Sequence, residues 1–293
     1  HVRLGHVSLM SFVSIITPAF RAESHLARAV ASVRAQTHPN WEMIIVADDG
    51  ADYASLLASQ NISLEKLRFA STGGSGLGPS RARNIALDLA RGDCIALLDA
   101  DDAFHPEKLE RLLPAALTHG VALSAMEFFD DATGLPLRNA NKPHPGGLIG
   151  ADELCLASLH SYSQLVINRA RVPARWTETR HLWEDLLFAL SCLDNAGQAW
   201  FEPLPLHRYY RRADSLCNAP EAARRFIGEA GAILASLEAG APAFKNPAIA
   251  ATLKRFLEGR LALEERFEAA LHAGECVDYQ DFMHQNLALF HRL

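Results

Sequence analysis

Three carboxylates fall within four positions of LLDADDAFHP, residues 97–106, directly behind an apolar run. Like charges this close repel, so a cation or a set of hydrogen-bond donors must offset them. On an extended chain side chains alternate, which puts Asp99 and Asp101 on one side and Ala100 and Asp102 on the other. The pair Asp99 and Asp101 could share one divalent cation. Mg2+ and Mn2+ take oxygen ligands, and Mg2+ commonly binds one or two carboxylates together with substrate phosphates. A phosphate-bearing substrate is the natural guest. The competing local reading is an acidic turn in which Asp102 caps the helix that starts near His105-Pro106-Glu107.

Other residues could meet such a guest. Arg81 and Arg83 open a helix behind Gly73, Gly74, Gly76 and Gly78, where backbone amides and guanidinium groups could receive phosphate. A solvated helix face is the equal alternative for Arg81. The glycines form neither GxGxxG nor a Walker loop, so no dinucleotide or P-loop fingerprint is supported. The thirteen histidines include no HExxH, and His105 reads as part of a helix start. Trp183 and Trp200 read as core in preference to sugar-stacking platforms.

These residues need elements to carry them. Residues 12–17 (FVSIIT) read as a first strand broken by Pro18, residues 23–36 as a helix with Leu26, Val30 and Val33 at helical spacing, and residues 41–47 as a second strand. A third strand near residues 67–70, a helix over 80–91 and a strand over 94–98 continue the rhythm. This is a doubly wound α/β pattern with parallel strands and right-handed crossovers. Ligands of such sheets bind outside the carboxyl ends of the strands. There stand Pro18-Ala19-Phe20, Asp48-Asp49-Gly50 and Asp99-Ala100-Asp101-Asp102, and two acidic clusters at one edge are hard to explain as independent turns. Residues 121–130 read as a further strand, 138–147 as loop, 150–159 as a short helix, 163–168 as a strand and 185–193 as a helix. From Pro220 onward the pattern is helical, broken at residues 240–242, with a long amphipathic piece over 250–272.

The 293 residues and 32.0 kDa suffice for a substantial core. With 49 % hydrophobic residues and mean hydropathy +0.01 the chain is expected to be folded and soluble. A net charge of −6 and a pI near 6.1 argue against nucleic acid as a partner. Cys94, Cys155, Cys192, Cys217 and Cys276 are odd in number and show no CxxC spacing, which points to buried thiols in a reducing, cytoplasmic compartment. No run has the length of a membrane span and no secretory leader is evident. Residues 1–11 read as an extension ahead of the fold.

ITPAF, ADDGAD, GPSRARNIALDLARGDCIALLDADD and WEDLLF stand at a spacing that resembles the family-two glycosyltransferases of the GT-A fold. The third segment carries most of the likeness, with counterparts of the family's Ala-Arg-Asn, its Ala-x-Gly-Asp and its Asp-x-Asp in one run. The resemblance covers residues 12–216, as a nucleotide-binding half 12–102 and an acceptor half 103–216, and leaves 217–293 as a helical region outside it. It implies an α/β GT-A fold, a Rossmann-like mostly parallel sheet flanked by helices with a C-terminal helical appendage. It implies transfer of a sugar, with inversion, from a nucleoside diphosphate to an acceptor hydroxyl, uridine being the family's commonest base. Residue by residue, Pro18 and Phe20 would line the donor, Asp49 would read the nucleobase, and Arg83 and Asn84 would belong to the donor site. Asp99 would lie by the ribose and metal, and Asp101 would be the principal ligand of Mn2+ or Mg2+. Phe20-Arg21 replaces the family's common Tyr-Asn, Ala51 its Ser and Ala47 its Asp, departures that touch nucleotide recognition more than reaction class.

Inversion requires a base on the sugar face opposite the leaving group. Glu184 and Asp185 are the candidates. Adjacent residues on a helix diverge by about 100°, so the two are not expected to serve together, and the resemblance favours Asp185. A helix N-terminus weakens a carboxylate as a base, which a late deprotonation tolerates; two acids complementing the helix end is the structural alternative. HRYYRR, residues 207–212, is the one dense basic and aromatic patch. Extended, it puts His207, Tyr209 and Arg211 on one face and Arg208, Tyr210 and Arg212 on the other. By the resemblance, His207 and Arg211 would close over the donor diphosphate.

The implied partners are a nucleotide-sugar donor and a saccharide or lipid-linked saccharide acceptor, as in bacterial polysaccharide or glycolipid synthesis. Peripheral contact with the inner face of a membrane and homo-oligomerisation through the helical region stay open. Two rivals remain. A sugar nucleotidyltransferase would carry a Gly-rich basic loop after the first strand, and Thr17-Pro18-Ala19-Phe20-Arg21-Ala22 has no glycine. An inactive scaffold subunit would not need Asp101 and Asp185.

Overall fold

The computed structural model describes residues 11–139, 144–157, 163–178, 182–212, 222–275, 282 and 286. The expected extension, save for its last residue, the middle of the 138–147 loop, Cys217 and Cys276 lie outside the described residues. Cys94, Cys155 and Cys192 are buried thiols. The described residues fall into two compact units, one running to Tyr210 and the other made of Leu182, Trp183 and the residues from Arg211 onward.

In the first unit, β1 (Val13–Ala19) and β2 (Trp41–Ala47) are buried almost throughout, as parallel strands covered on both faces must be. They pair in parallel from Val13↔Trp41 to Ala19↔Ala47. Helix α1 (Leu26–Arg34) lies between them in sequence and buries Leu26, Ala29, Val30 and Val33, one stripe at helical spacing. It starts later than the periodicity suggests because residues 20–22 are used in a turn: Arg21 has φ +51° and the Ala22 amide donates to the Tyr53 hydroxyl. Helix α2 (Tyr53–Ser59) then leads to β3 (Leu67–Ser71), and α3 (Pro79–Leu89) to β4 (Cys94–Leu97).

Pro18 does not end the first strand; it pairs with Val46 inside it. Hydrogen-bonding directions alternate along a parallel strand, and the Ile16 carbonyl accepts from Leu98 on the β4 side. Pro18 therefore faces the same side two residues further on, where the β1–β4 register has already ended at Ile16↔Leu97. A residue without an N–H fits that local edge.

The sheet runs β3-β2-β1-β4 and continues through β9 (Val166–Asn168), β6 (Val121–Asp130), β10 (Ala199–Arg211) and β5 (Ala103–Phe104). The β3-β2-β1-β4 half is parallel, as the βαβ rhythm predicts. Beyond it come β5 (Ala103–Phe104), α4 (Lys108–His119), β6 (Val121–Asp130), β7 (Pro136–Asn139), β8 (Gly147–Ile149), α5 (Ala151–Ala157), β9 (Val166–Asn168), α6 (Glu184–Ala196) and β10 (Ala199–Arg211). There β9 pairs antiparallel with β4 and β6, β7 with β6, and β5 and β8 with β10. The two-residue β5 pairs Phe104 with His207, so the chain past the acidic cluster joins the sheet before α4 begins. Asp102 does not cap α4, whose N-cap is Glu107 without a side-chain bond.

At the opposite end of the sheet, a β-carbon on Gly92 would lie 2.5 Å from the Ser14 amide nitrogen and 2.7 Å from the Cys94 carbonyl oxygen. Both are backbone atoms of paired strands and cannot yield. Gly92→Ala is expected to destabilise the protein by about 1–3 kcal/mol, the usual cost of overpacking, read as a fall in the urea midpoint with an unchanged m-value.

In the second unit, α7 (Ala222–Glu238) and α8 (Pro247–His272) carry the helical pattern. The Asn246 side chain accepts from the Ala248 amide at the start of α8. Trp183 is core, edge-on to Phe226 and Phe256 at 5.3 and 6.1 Å between ring centroids. Among the described residues no helix is long and apolar enough to cross a membrane.

Candidate functional site

The carboxyl ends of β2 and β4 bring Asp48 and Asp49 and then Asp99, Asp101 and Asp102 to one edge of the sheet, beside the end of β1. After β2, Asp48 is buried and turned inward: its carboxylate accepts from the Thr72 hydroxyl at 2.8 Å and from the amides of Leu77 and Gly78 at 3.0 and 2.8 Å. It ties down the Gly-rich loop and fills the amide cradle at the start of α3 with a carboxylate, so that cradle serves the fold. Gly78, at φ +102°, makes the turn into the helix.

Asp49 is half-buried and fixes the loop after β1. Its Oδ2 accepts from the Arg21 amide and the Tyr53 hydroxyl, both at 2.6 Å, and its Oδ1 from the Ala51 amide at 3.0 Å. Burial works against the carboxylate, but the bonds from Tyr53, Ala51 and Arg21 outweigh it and hold the group below its ordinary pKa. Phe20, in the turn so fixed, is 45 % exposed, with the Arg21 guanidinium 5.2 Å from its ring centroid.

After β4 the expected alternation is visible: Ala100 and Asp102 are buried, while Asp99 and Asp101 are partly open. The turn is closed by the Asp102 amide donating to the Asp99 carbonyl at 3.1 Å. Arg28 of α1 donates to the Asp101 carbonyl at 2.6 Å, pairs with Asp131 at 2.8 Å and stacks over the Tyr210 ring. Burial, then the neighbouring Asp101 and Asp99, push the Asp102 carboxyl well above its ordinary range.

Arg83 joins two parts of the site. Its Nη2 donates to Asp99 Oδ1 at 2.8 Å and its Nη1 to Glu184 Oε1 at 3.1 Å, with Trp176 under the guanidinium. Burial opposes the cation, but the two carboxylates outweigh it and raise the Arg83 pKa. Burial raises Glu184, against the pull of Arg83. Arg83 is thus consumed by protein carboxylates, while Arg81 lies on the exposed helix face. Asn84 is likewise engaged in the fold: it donates to the Trp176 carbonyl and to Glu178 and accepts from the Trp176 amide. Asp185 follows Glu184 in the first turn of α6, and its Oδ1 accepts from the Leu186 amide.

His207 differs from its expected place at the donor diphosphate. It is fully buried, with Nε2 3.0 Å from Asp102 Oδ2 and Nδ1 2.9 Å from Lys108 Nζ, so neither ring nitrogen is left for a phosphate. Strand alternation is the reason: Arg208 and Tyr210 pack along Phe129, and His207 turns the other way, toward Phe104. Arg211 is the last residue of β10. Sequence reasoning missed Arg28, Lys108, Tyr53 and Trp176, because a cation or ring in an ordinary helix or loop gives no local sign of a partner tens of residues away.

Among the described residues no three His, Cys, Asp or Glu side chains are grouped to hold a metal ion by themselves. Asp99 and Asp101 place hard oxygen donors on one side of the turn, and Arg83 takes Oδ1 of Asp99. That set suits a Mg2+ or Mn2+ ion that keeps waters and arrives with phosphate oxygens.

The model of glycosyl transferase family 2 matches residues 14–163, from β1 through the acidic turn and into the antiparallel half of the sheet. The chain belongs to this family. A UDP-Glc:alpha-D-GlcNAc-diphosphoundecaprenol beta-1,3-glucosyltransferase of Escherichia coli, WfgD, is 34 % identical over 116 residues, 38 % of this chain and 43 % of that protein. The matched part is thus less than half of that relative's length. Among solved structures, Staphylococcus aureus TarS residues 1–349 in complex with UDP-GlcNAc superposes with TM-score 0.63 at 16 % identity, over 89 % of this chain and 74 % of that one. The Pyrobaculum calidifontis mannosyltransferase PcManGT, in complex with GDP-Man and Mn2+, superposes with TM-score 0.61 at 15 % identity, over 95 % of this chain and 80 % of that one. These likenesses establish the fold as GT-A.

Proposed function

We propose that this family-two chain is an inverting glycosyltransferase that moves a sugar from a nucleoside diphosphate, uridine in the first instance, to a hydroxyl of a saccharide or lipid-linked saccharide acceptor. The observation that carries the reading is Arg83, which ties Asp99 of the acidic turn to Glu184 beside Asp185 in one rigid arrangement. It links the donor-binding edge of the sheet to the helix that would supply the base. The names of WfgD and of the TarS complex support a UDP-sugar, and WfgD supports an undecaprenyl-diphosphate-linked acceptor. PcManGT supports metal dependence and keeps guanosine as the alternative base.

The chain's own residues divide the work. Phe20 offers a face to the nucleobase, and Asp49 fixes the turn that presents it. Asp99 and Asp101 would hold Mg2+ or Mn2+, which would neutralise the charge developing on the leaving diphosphate. Asp185 takes the proton of the acceptor hydroxyl as it attacks the anomeric carbon from the face opposite that diphosphate. Arg83 holds Glu184 and Asp99 apart and contacts neither donor nor acceptor in this scheme.

The test is product analysis. The chain, with Mn2+, UDP-sugars and an undecaprenyl-diphosphate-linked saccharide, should release UDP and form a glycoside of opposite anomeric configuration to the donor, read by NMR. A retained configuration would overturn the inverting mechanism. Release of pyrophosphate from UTP and a sugar 1-phosphate would establish the nucleotidyltransferase instead.

A further inference from the structure

Lys108, His207 and Asp102 form a chain of three ionisable side chains with almost no access to water: 0, 0 and 1 % exposed. Lys108 Nζ lies 2.9 Å from His207 Nδ1, and His207 Nε2 lies 3.0 Å from Asp102 Oδ2. The other carboxylate oxygen of Asp102 accepts the Tyr210 amide at 3.1 Å. Phe104 closes the node, with its ring 4.2 Å from the Lys108 ammonium and edge-on to the imidazole. Taking such groups out of water costs several kcal/mol for each ion, and apolar residues of similar volume serve a core as well or better. Stability alone does not account for them.

With the imidazole neutral, two proton arrangements satisfy both bonds. In one, the Lys108 ammonium donates to Nδ1 and the Nε2 proton goes to the Asp102 carboxylate. In the other, the Asp102 carboxylic acid donates to Nε2 and the Nδ1 proton goes to a neutral Lys108. The node has no net charge in either, and Asp102 is fully engaged. The third carboxylate of the cluster is therefore withdrawn from the site and anchored below it.

The node also joins four elements. Lys108 opens α4, His207 and Tyr210 lie on β10, Phe104 is β5, and Asp102 ends the acidic turn. With Arg28 on the Asp101 carbonyl and Arg83 on Asp99, it completes the restraints on residues 99–102.

We propose that Lys108 and His207 are positioning residues of the donor site, which through Asp102 fix the acidic turn so that Asp99 and Asp101 meet a nucleoside diphosphate and its divalent cation in one geometry. This rests on the donor site proposed above. Outer partners that orient metal-binding carboxylates typically change metal affinity about 10–100-fold when removed.

The test is calorimetric titration at 10 °C of UDP and GDP with Mn2+ and with EDTA. The variants are His207→Leu, His207→Gln and Lys108→Met. Gln can accept from Lys108 through its carbonyl and donate to Asp102 through its amide, so it preserves the chain that Leu breaks. With Mn2+, His207→Leu should weaken binding about tenfold or more, while His207→Gln stays near wild type; with EDTA, all variants should match wild type. If His207→Leu does not fold, Lys108→Met supplies the same comparison. A lower melting temperature with wild-type affinity in Mn2+ would make the node purely structural and overturn the inference alone. Weakening that is equal with and without metal would also overturn it. Absence of nucleotide binding by wild type would instead overturn the donor site itself, and the inference with it.

Discussion

Asp185→Asn is expected to lower sugar transfer by about 10²–10⁴-fold, the contribution of a well-placed general base, while nucleoside diphosphate binding persists. The two acids of WEDLLF part ways in the structure. Glu184 is buried and committed to Arg83, a cation it would have to leave before it could work as a base. Asp185 is one position on, about 100° around α6, and makes no bond to Arg83. A helix N-terminus favours a carboxylate and weakens it as a base, which a late deprotonation in the displacement tolerates. Asn is nearly isosteric and keeps an oxygen for the Leu186 amide, so the fold should stand. The check is initial-rate transfer beside nucleotide titration on the same preparation. Full transfer by Asp185→Asn, with loss in Glu184→Gln, would move the base to Glu184.

Arg83→Met should cost about 3–5 kcal/mol of stability, because it strands a buried carboxylate whose cation has gone. Glu184 is left facing Asp99 with no charge between them, and each disfavours the ionised form of the other. Arg83→Lys should recover only part of the loss, since one ammonium cannot present two parallel donors to carboxylates on either side. Urea denaturation at pH 7 measures both. A loss under about 1 kcal/mol for Arg83→Met, the range of exposed ion pairs, would show that the bridge is solvated and does not order the site.

Much of this was legible in the sequence. FVSIIT and WEMIIVA are largely apolar without alternation, as doubly covered parallel strands are, and the acidic residues stand where such strands end. The alternation of Asp99 and Asp101 against Asp102 followed from backbone geometry alone. Long-range partners were not legible. That Arg83 would be spent on Asp99 and Glu184, 16 and 101 residues away, depends on how α3 and α6 pack. His207 looked like a donor ligand because HRYYRR is basic; which face of β10 turns inward is set by the two-residue β5, too short to leave a periodic signal. Pro18 misled for a similar reason, since the end of β4 beside it cannot be seen from β1.

The central claim is that Asp99 and Asp101 receive a nucleoside diphosphate together with a divalent cation. The most direct measurement is calorimetric titration of UDP, with GDP and TDP as comparators, in Mn2+ and in EDTA, on wild type and Asp101→Asn. One nucleotide should bind wild type in a metal-dependent way, and Asp101→Asn should abolish the metal-dependent part. Binding that ignores both the metal and the substitution, or no binding of any of the three, would contradict it.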